Sequence, residues 1–180
     1  FVYSPLEIER MEEDIDIARE LGVDGIVLGC LTPEGGIDLD VNARLMEHTH
    51  GMSTTFHRAF DCCKDPSTAL EQLIGLGFDR VLTSGQQPTA EQGIPLLTAL
   101  HIQSAGRITL LAGCGVNEGN IRSISEATDI REFHFSARVK VPGAMLFSNP
   151  KVYMGAPGVD ENVREITSSE RVKNTIAQLL

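Results

Sequence analysis

The residues of this chain with chemistry to offer sit at the ends of short apolar runs. His57-Arg58-Ala59-Phe60-Asp61 closes the run STTFH, Thr83-Ser84-Gly85 closes RVLT, Gly113-Cys114-Gly115 follows ITLLA, His134-Phe135-Ser136 closes EFHFS, and Cys30 follows GIVLG. An imidazole acts as general acid or base near neutral pH, so His57 and His134 are candidate catalytic groups, with Asp61 able to orient His57 if the loop turns back. The other reading leaves both histidines as hydrogen-bonding residues of a polar surface. Arg58 is either an anion clamp or the partner of Asp61. Gly113 and Gly115 form a tight turn whose backbone amides can cradle a phosphate ahead of a helix, or a plain turn. Thr83, Ser84 and Gly85 add donors to the same rim, and Ser136 adds a hydroxyl as the last residue of the fifth run, Glu132 to Ser136.

Soft-metal ligands are also present. Cys30, Cys62, Cys63, Cys114, Met145 and Met154 are available, but no C-x-x-C or H-E-x-x-H spacing organises them. A site would have to be assembled across loops, as Cu(I) held by two or three soft ligands can be. Cys30 and Cys114 directly follow apolar runs, so with His57 and His134 they form the candidate metal set. Each cysteine also suits a small core position.

The elements that must position these residues repeat. Candidate strands start at residues 25, 53, 80, 108 and 132, and the segments between them read as helices, which is the spacing of βα units with parallel strands. Ser4-Pro5-Leu6-Glu7 predicts a capping box and a helix from Pro5, with Ile8, Met11, Ile15, Ala18 and Leu21 on one stripe and Gly22 as the stop. Asp65-Pro66 opens another helix, with Leu70, Leu73 and Ile74 inward and Gly77 closing it. Residues 41–50 form a weaker helical segment. Asn117 or Asn120 caps a helix carrying Ile121 and Ile124, and Ser168 or Ser169 caps one carrying Val172, Ile176 and Leu179. Strand parity turns Phe56, Phe133 and Phe135 toward the helices and sends Thr55, His57, His134 and Ser136 to the opposite face. Parity also points Arg58 away from His57.

Alternating βα units leave an open doubly wound sheet or a (β/α)8 TIM barrel. The chain starts at Phe1 and runs straight into a capped helix, which favours a barrel lacking its first three βα units, with five parallel strands present. At 180 residues this is a single partial-barrel domain. Residues 139–162, rich in Pro, Gly and small side chains, read as a long loop or lid within it. With 15 basic against 25 acidic residues the net charge is −10, so no basic field draws nucleic acid or anionic lipid. The apolar runs are too short to span a bilayer. A cytoplasmic protein with reduced thiols is expected.

The sequence resembles the CutC family of copper homeostasis proteins. Phe1-Val2-Tyr3-Ser4, the heptad TFHRAFD at 55–61, RVLTSG at 80–85 and Glu132-Phe133-His134 carry the resemblance, in order along almost the whole chain. It implies a TIM barrel, a cytoplasmic location, a homo-oligomer and copper as the partner, and it brings no established reaction. Cys114 departs from the family pattern, in which a small residue is more usual. The leading expectation is a copper homeostasis protein that binds or hands on Cu(I) at the barrel mouth. The alternative is a barrel enzyme acting on a small phosphorylated or carboxylated molecule, with a histidine as acid or base.

Overall fold

Local signals start and stop most of the helices. The first, α1 (Pro5–Glu20), opens on a reciprocal box in which the Ser4 amide donates to the Glu7 carboxylate at 2.7 Å and Ser4 Oγ accepts from the Glu7 amide at 3.4 Å. Gly22, at φ +73°, supplies the left-handed residue after it. Strand β1 (Gly25–Leu28) follows, then α2 (Leu39–Glu47), capped by Asp38, and β2 (Ser53–Phe56). A single 3-10 turn, Arg58–Cys62, leads to α3 (Pro66–Leu76), which Asp65 caps and Gly77 closes at φ +84°. Then come β3 (Arg80–Thr83), α4 (Ile94–Ser104), β4 (Thr109–Gly113), α5 (Ile121–Thr128) and β5 (Glu132–His134). A two-stranded ribbon, β6 (Arg138–Pro142) and β7 (Val163–Thr167), precedes the last helix, α6 (Ser169–Ala177). This computed structural model describes residues 1–147, 149, 151–152, 155 and 160–180.

Strands β1 to β5 form one parallel sheet in chain order. A doubly wound sheet reverses its strand order part-way; this one does not, and consecutive helices α1 to α5 pack side by side. Five βα-type units of a TIM-barrel wall are the result. Burial alternates along the strands. Thr54, Phe56, Val81, Thr83, Leu110 and Ala112 are buried under the helices, while Thr55, Leu82 and Leu111 on the opposite, concave face are half-covered. The core lies between sheet and helices, with Phe56 against Phe78 edge to face at 5.4 Å and Leu45, Leu70, Leu73 and Leu97 fully buried. On the concave face Arg80 donates to Glu132 at 2.6 Å and to Ser53 Oγ at 2.7 Å, joining β2, β3 and β5 across β4.

Three expectations need correction. Residues 139–162 are not loop from the start: Val139 pairs with Ile166 and Val141 with Arg164 in the antiparallel ribbon, and the β-branched alternation of Val139 and Val141 is the local cause. The connection between the two strands falls partly on residues outside the described set, as does Met154. The stripe expected for α6 is rotated. Thr175 is the fully buried residue there, whereas Ile176 and Leu179 are exposed, because α6 is tied to the α5 side by Arg171 with Glu118 and by Arg122 donating to the Gln178 carbonyl. Finally, the fifth strand ends at His134, leaving Ser136 beyond it.

Candidate rim site

Asp61 is the centre of the carboxyl end of the sheet. Its side chain is 8% exposed and takes donors from Arg58 Nε at 2.6 Å, three residues before it, and from the distant β3 loop: Thr83 Oγ1 at 2.6 Å, the Ser84 amide at 3.0 Å and the Gln86 amide at 3.1 Å. Ser84 Oγ lies 3.0 Å from the same carboxylate and 2.6 Å from the Gln87 carbonyl, so its one proton serves one or the other. It also accepts from Arg58 Nη2 at 3.1 Å. The amides and hydroxyls of the Thr83-Ser84-Gly85 turn are thereby committed inward, with the Gly85 amide on Thr83 Oγ1 at 2.9 Å. They cradle a carboxylate of the protein itself. The hydrogen bond that Arg58 donates to Asp61 raises the Arg58 pKa further, and the Cys114 and Cys62 thiols lie near enough to add to it when ionised.

The histidines are placed apart from this hub. His57 caps the 3-10 turn, its Nδ1 accepting from the Ala59 amide at 3.2 Å, which assigns the proton of the neutral ring to Nε2. The ring is tilted at 49° against Phe1, with centroids 4.8 Å apart, and would collide with any side chain at Gly29. Burial pushes the His57 pKa down, so the ring is neutral at pH 7. Asp61 does not orient it; the expected contact is replaced by the ion pair with Arg58. The parity argument for Arg58 also lapses, because the strand ends at Phe56 and Arg58 belongs to the turn. His134 is exposed at the end of β5, its Cβ facing the same side as Gly113, with β3 and β4 between it and β2.

The thiols differ sharply in setting. Cys30 is 2% exposed, its backbone amide and carbonyl both bonded to the buried Asn42 side chain at 3.1 and 2.8 Å. Burial, with Asp38 nearby, drives its pKa up to about 11. Cys63 is likewise buried and, by burial, pushed up to about 11. Cys62 is exposed and Cys114 partly so, with Cys114 Sγ donating to the Pro88 carbonyl at 3.1 Å. Cys114 adopts φ +79° between Gly113 and Gly115. The turn does not deliver its amides to a helix end: α5 starts at Ile121, and Asn117 and Asn120 occupy the gap, the Gly119 amide donating to Asn117 Oδ1 and the Asn117 amide to Asn120 Oδ1. Among the described residues no three His, Cys, Asp or Glu side chains form a group able to hold a metal ion. Cys30, Cys114, His57 and His134 are therefore not gathered into one cage.

Asn42, Gln86 and the Arg80 with Glu132 pair were missed by the sequence reading. Strand parity applied to Ser53, Arg80 and Glu132 would have found the last; Asn42 and Gln86 carry no local signal.

The chain has relatives. The CutC family model matches residues 1–139. The family protein CutC of Bacteroides thetaiotaomicron is 57% identical over 177 residues, covering 98% of this chain and 71% of the relative. The family protein CutC of Bacteroides fragilis is 56% identical over 180 residues, 99% of this chain and 72% of that one. A solved structure from Streptococcus agalactiae, described provisionally as the copper homeostasis protein CutC, is 36% identical with a TM-score of 0.70, over 74% of this chain and 65% of that one. A structure described as native KDPGal shares the fold alone, at 15% identity and a TM-score of 0.56, over 93% of this chain and 64% of that one. No helix among the described residues is long and apolar enough to cross a membrane.

Proposed function

Since this chain belongs to the CutC family, we propose that it serves in copper homeostasis in the cytoplasm, with Cu(I) as a cargo taken by the accessible rim thiol of Cys114 and not by Cys30. Cys62 and His134 are both exposed and are the candidates for a second ligand in this reading. Self-association of the full-length protein belongs to the same reading. The observation that supports it is the contrast between the thiols. Cu(I) binds thiolate, and Cys30 is enclosed, with its proton held to about pH 11, so binding there would require both opening the core and removing that proton. Cys114 has a partly open thiol at the carboxyl ends of the strands, where ligands of α/β folds bind.

An anaerobic Cu(I) titration against a competing chelator tests this. Cys114→Ser is expected to weaken binding at least tenfold, and Cys30→Ser to leave it within twofold, with circular dichroism confirming that both variants stay folded. Binding lost in Cys30→Ser but retained in Cys114→Ser, or indifferent to both, overturns the assignment.

A further inference from the structure

We propose that Arg58, held by Asp61, forms an oxyanion-binding subsite at the carboxyl rim that takes the carboxylate or phosphate group of a small molecule, independently of copper.

The argument starts from what the ion pair leaves open. Arg58 Nε is engaged by Asp61 and Nη2 by Ser84 Oγ, while Nη1 has no acceptor among the described residues. The Arg58 side chain is 42% exposed. Two nitrogens of the guanidinium are thus held by the protein while the side chain stays partly open to solvent. Of the five guanidinium N–H groups two are engaged, which leaves two on Nη1 and one on Nη2, and a neighbouring pair of these matches the two oxygens of a carboxylate or phosphate. The usual cost of such a contact is the rotamer entropy lost in ordering a long side chain. Asp61 imposes that order before any ligand arrives.

The carboxylate does not cancel the site it builds. Thr83, Ser84 and Gln86 all donate to Asp61, so its charge is shared between Arg58 and neutral dipoles of the β3 loop. Those donors reach Asp61 from 22 to 25 residues away. The clamp is therefore set by the fold of β3 and its loop, and is rigid in a way that a surface pair three residues apart is not. The location agrees: the arginine stands at the carboxyl ends of the parallel strands, in a chain whose net charge of −10 otherwise repels anions.

Positioning and neutralisation make opposite predictions. If Asp61 only offset the charge of Arg58, removing its negative charge would tighten anion binding. If Asp61 positions the guanidinium, Asp61→Asn weakens binding although the site becomes more positive. The experiment is a titration of the metal-free 180-residue chain with inorganic phosphate and, separately, acetate, followed by amide chemical shifts. Saturable shifts confined to residues 58–61 and 84–86 are expected. Arg58→Gln should raise the dissociation constant at least tenfold, with Arg58→Lys intermediate, and Asp61→Asn should raise it several-fold. Which probe binds more tightly identifies the oxyanion. Absence of saturable shifts, or shifts that survive in Arg58→Gln, overturns the subsite; tighter binding in Asp61→Asn overturns the positioning role. Should Asp61→Asn fail to fold, the Arg58 pair alone decides the subsite. Because no copper is present, failure here leaves the thiol assignment untouched, and the reverse holds.

Discussion

His57 shows how a residue that looks reactive in sequence becomes structural once its neighbours are placed. Its Nδ1 is taken by the Ala59 amide, its ring is tilted against Phe1, and it sits so close to Gly29 that no side chain fits there. Burial holds its folded-state pKa below the unfolded value of 6.5. The unfolded chain therefore takes up a proton that the folded chain resists, and stability rises with pH across that interval. The contribution of neutral His57 is complete above pH 6.5 and is lost as pH falls toward the lowered value. Urea midpoints at pH 7.5, 6.5 and 5.5 should fall for the wild-type chain. In His57→Gln, whose amide oxygen can still accept from Ala59, that decline should be shallower. Equal slopes for the two proteins would show that His57 is not buried as described. At this scale the sequence was a partial guide. The Arg58 and Asp61 ion pair was readable from a spacing of three residues. The saturation of Asp61 was not, because Thr83, Ser84 and Gln86 are distant in the chain and nothing local announces the meeting.

Legibility improves where an element carries its own start and stop. Helices α1 and α3 were readable from Ser4-Pro5 and Asp65-Pro66 because a capping side chain and a proline act within the first turn and a glycine closes the far end. Helix α4 lacks that signal: Gly93 makes no side-chain cap. Gly93 is required for a different reason. A Cβ there would overlap the Ser84 carbonyl, and one at Gly85 would meet the Gly93 backbone, so the loop that presents Ser84 and Gln86 to Asp61 folds on a glycine-to-glycine contact. Backbone cannot swing aside as a flexible side chain can. Gly93→Ala is expected to cost about 3 kcal/mol and to weaken the Asp61 clamp. Gly22→Ala, with φ +73° but open space around it, should cost only about 1 kcal/mol for the left-handed backbone. Paired urea unfolding curves give the comparison. A cost at Gly22 equal to or above that at Gly93 would mean that the loop relaxes and that the clamp tolerates displacement.

Across the whole molecule, a barrel wall was legible from the even spacing of the strands, whereas closure was not, since it depends on which edges find partners. In the described residues β1 and β5 pair on one side only. Val27, on the concave face of β1, is 62% exposed, and Val2 and Phe1 nearby are more than half exposed or close to it. An unpaired strand edge beside exposed apolar side chains is a template for pairing with another chain. Charge works against this, because a net charge of −10 repels like copies, but that repulsion is screened beyond about 8 Å at physiological salt. Expressed as these 180 residues, the protein should therefore associate as salt rises. Sedimentation velocity in 20 mM and 300 mM sodium chloride should show a larger species at the higher salt. Val27→Lys, which places a charge next to the open edge, should restore the monomer. A single cooperative monomer under both conditions would mean that the edge strands are protected by something other than pairing. Salt-induced association unaffected by Val27→Lys would move the contact away from β1, leaving the exposed Met145, Leu146 and Phe147 after the ribbon strand β6 as the next surface to charge.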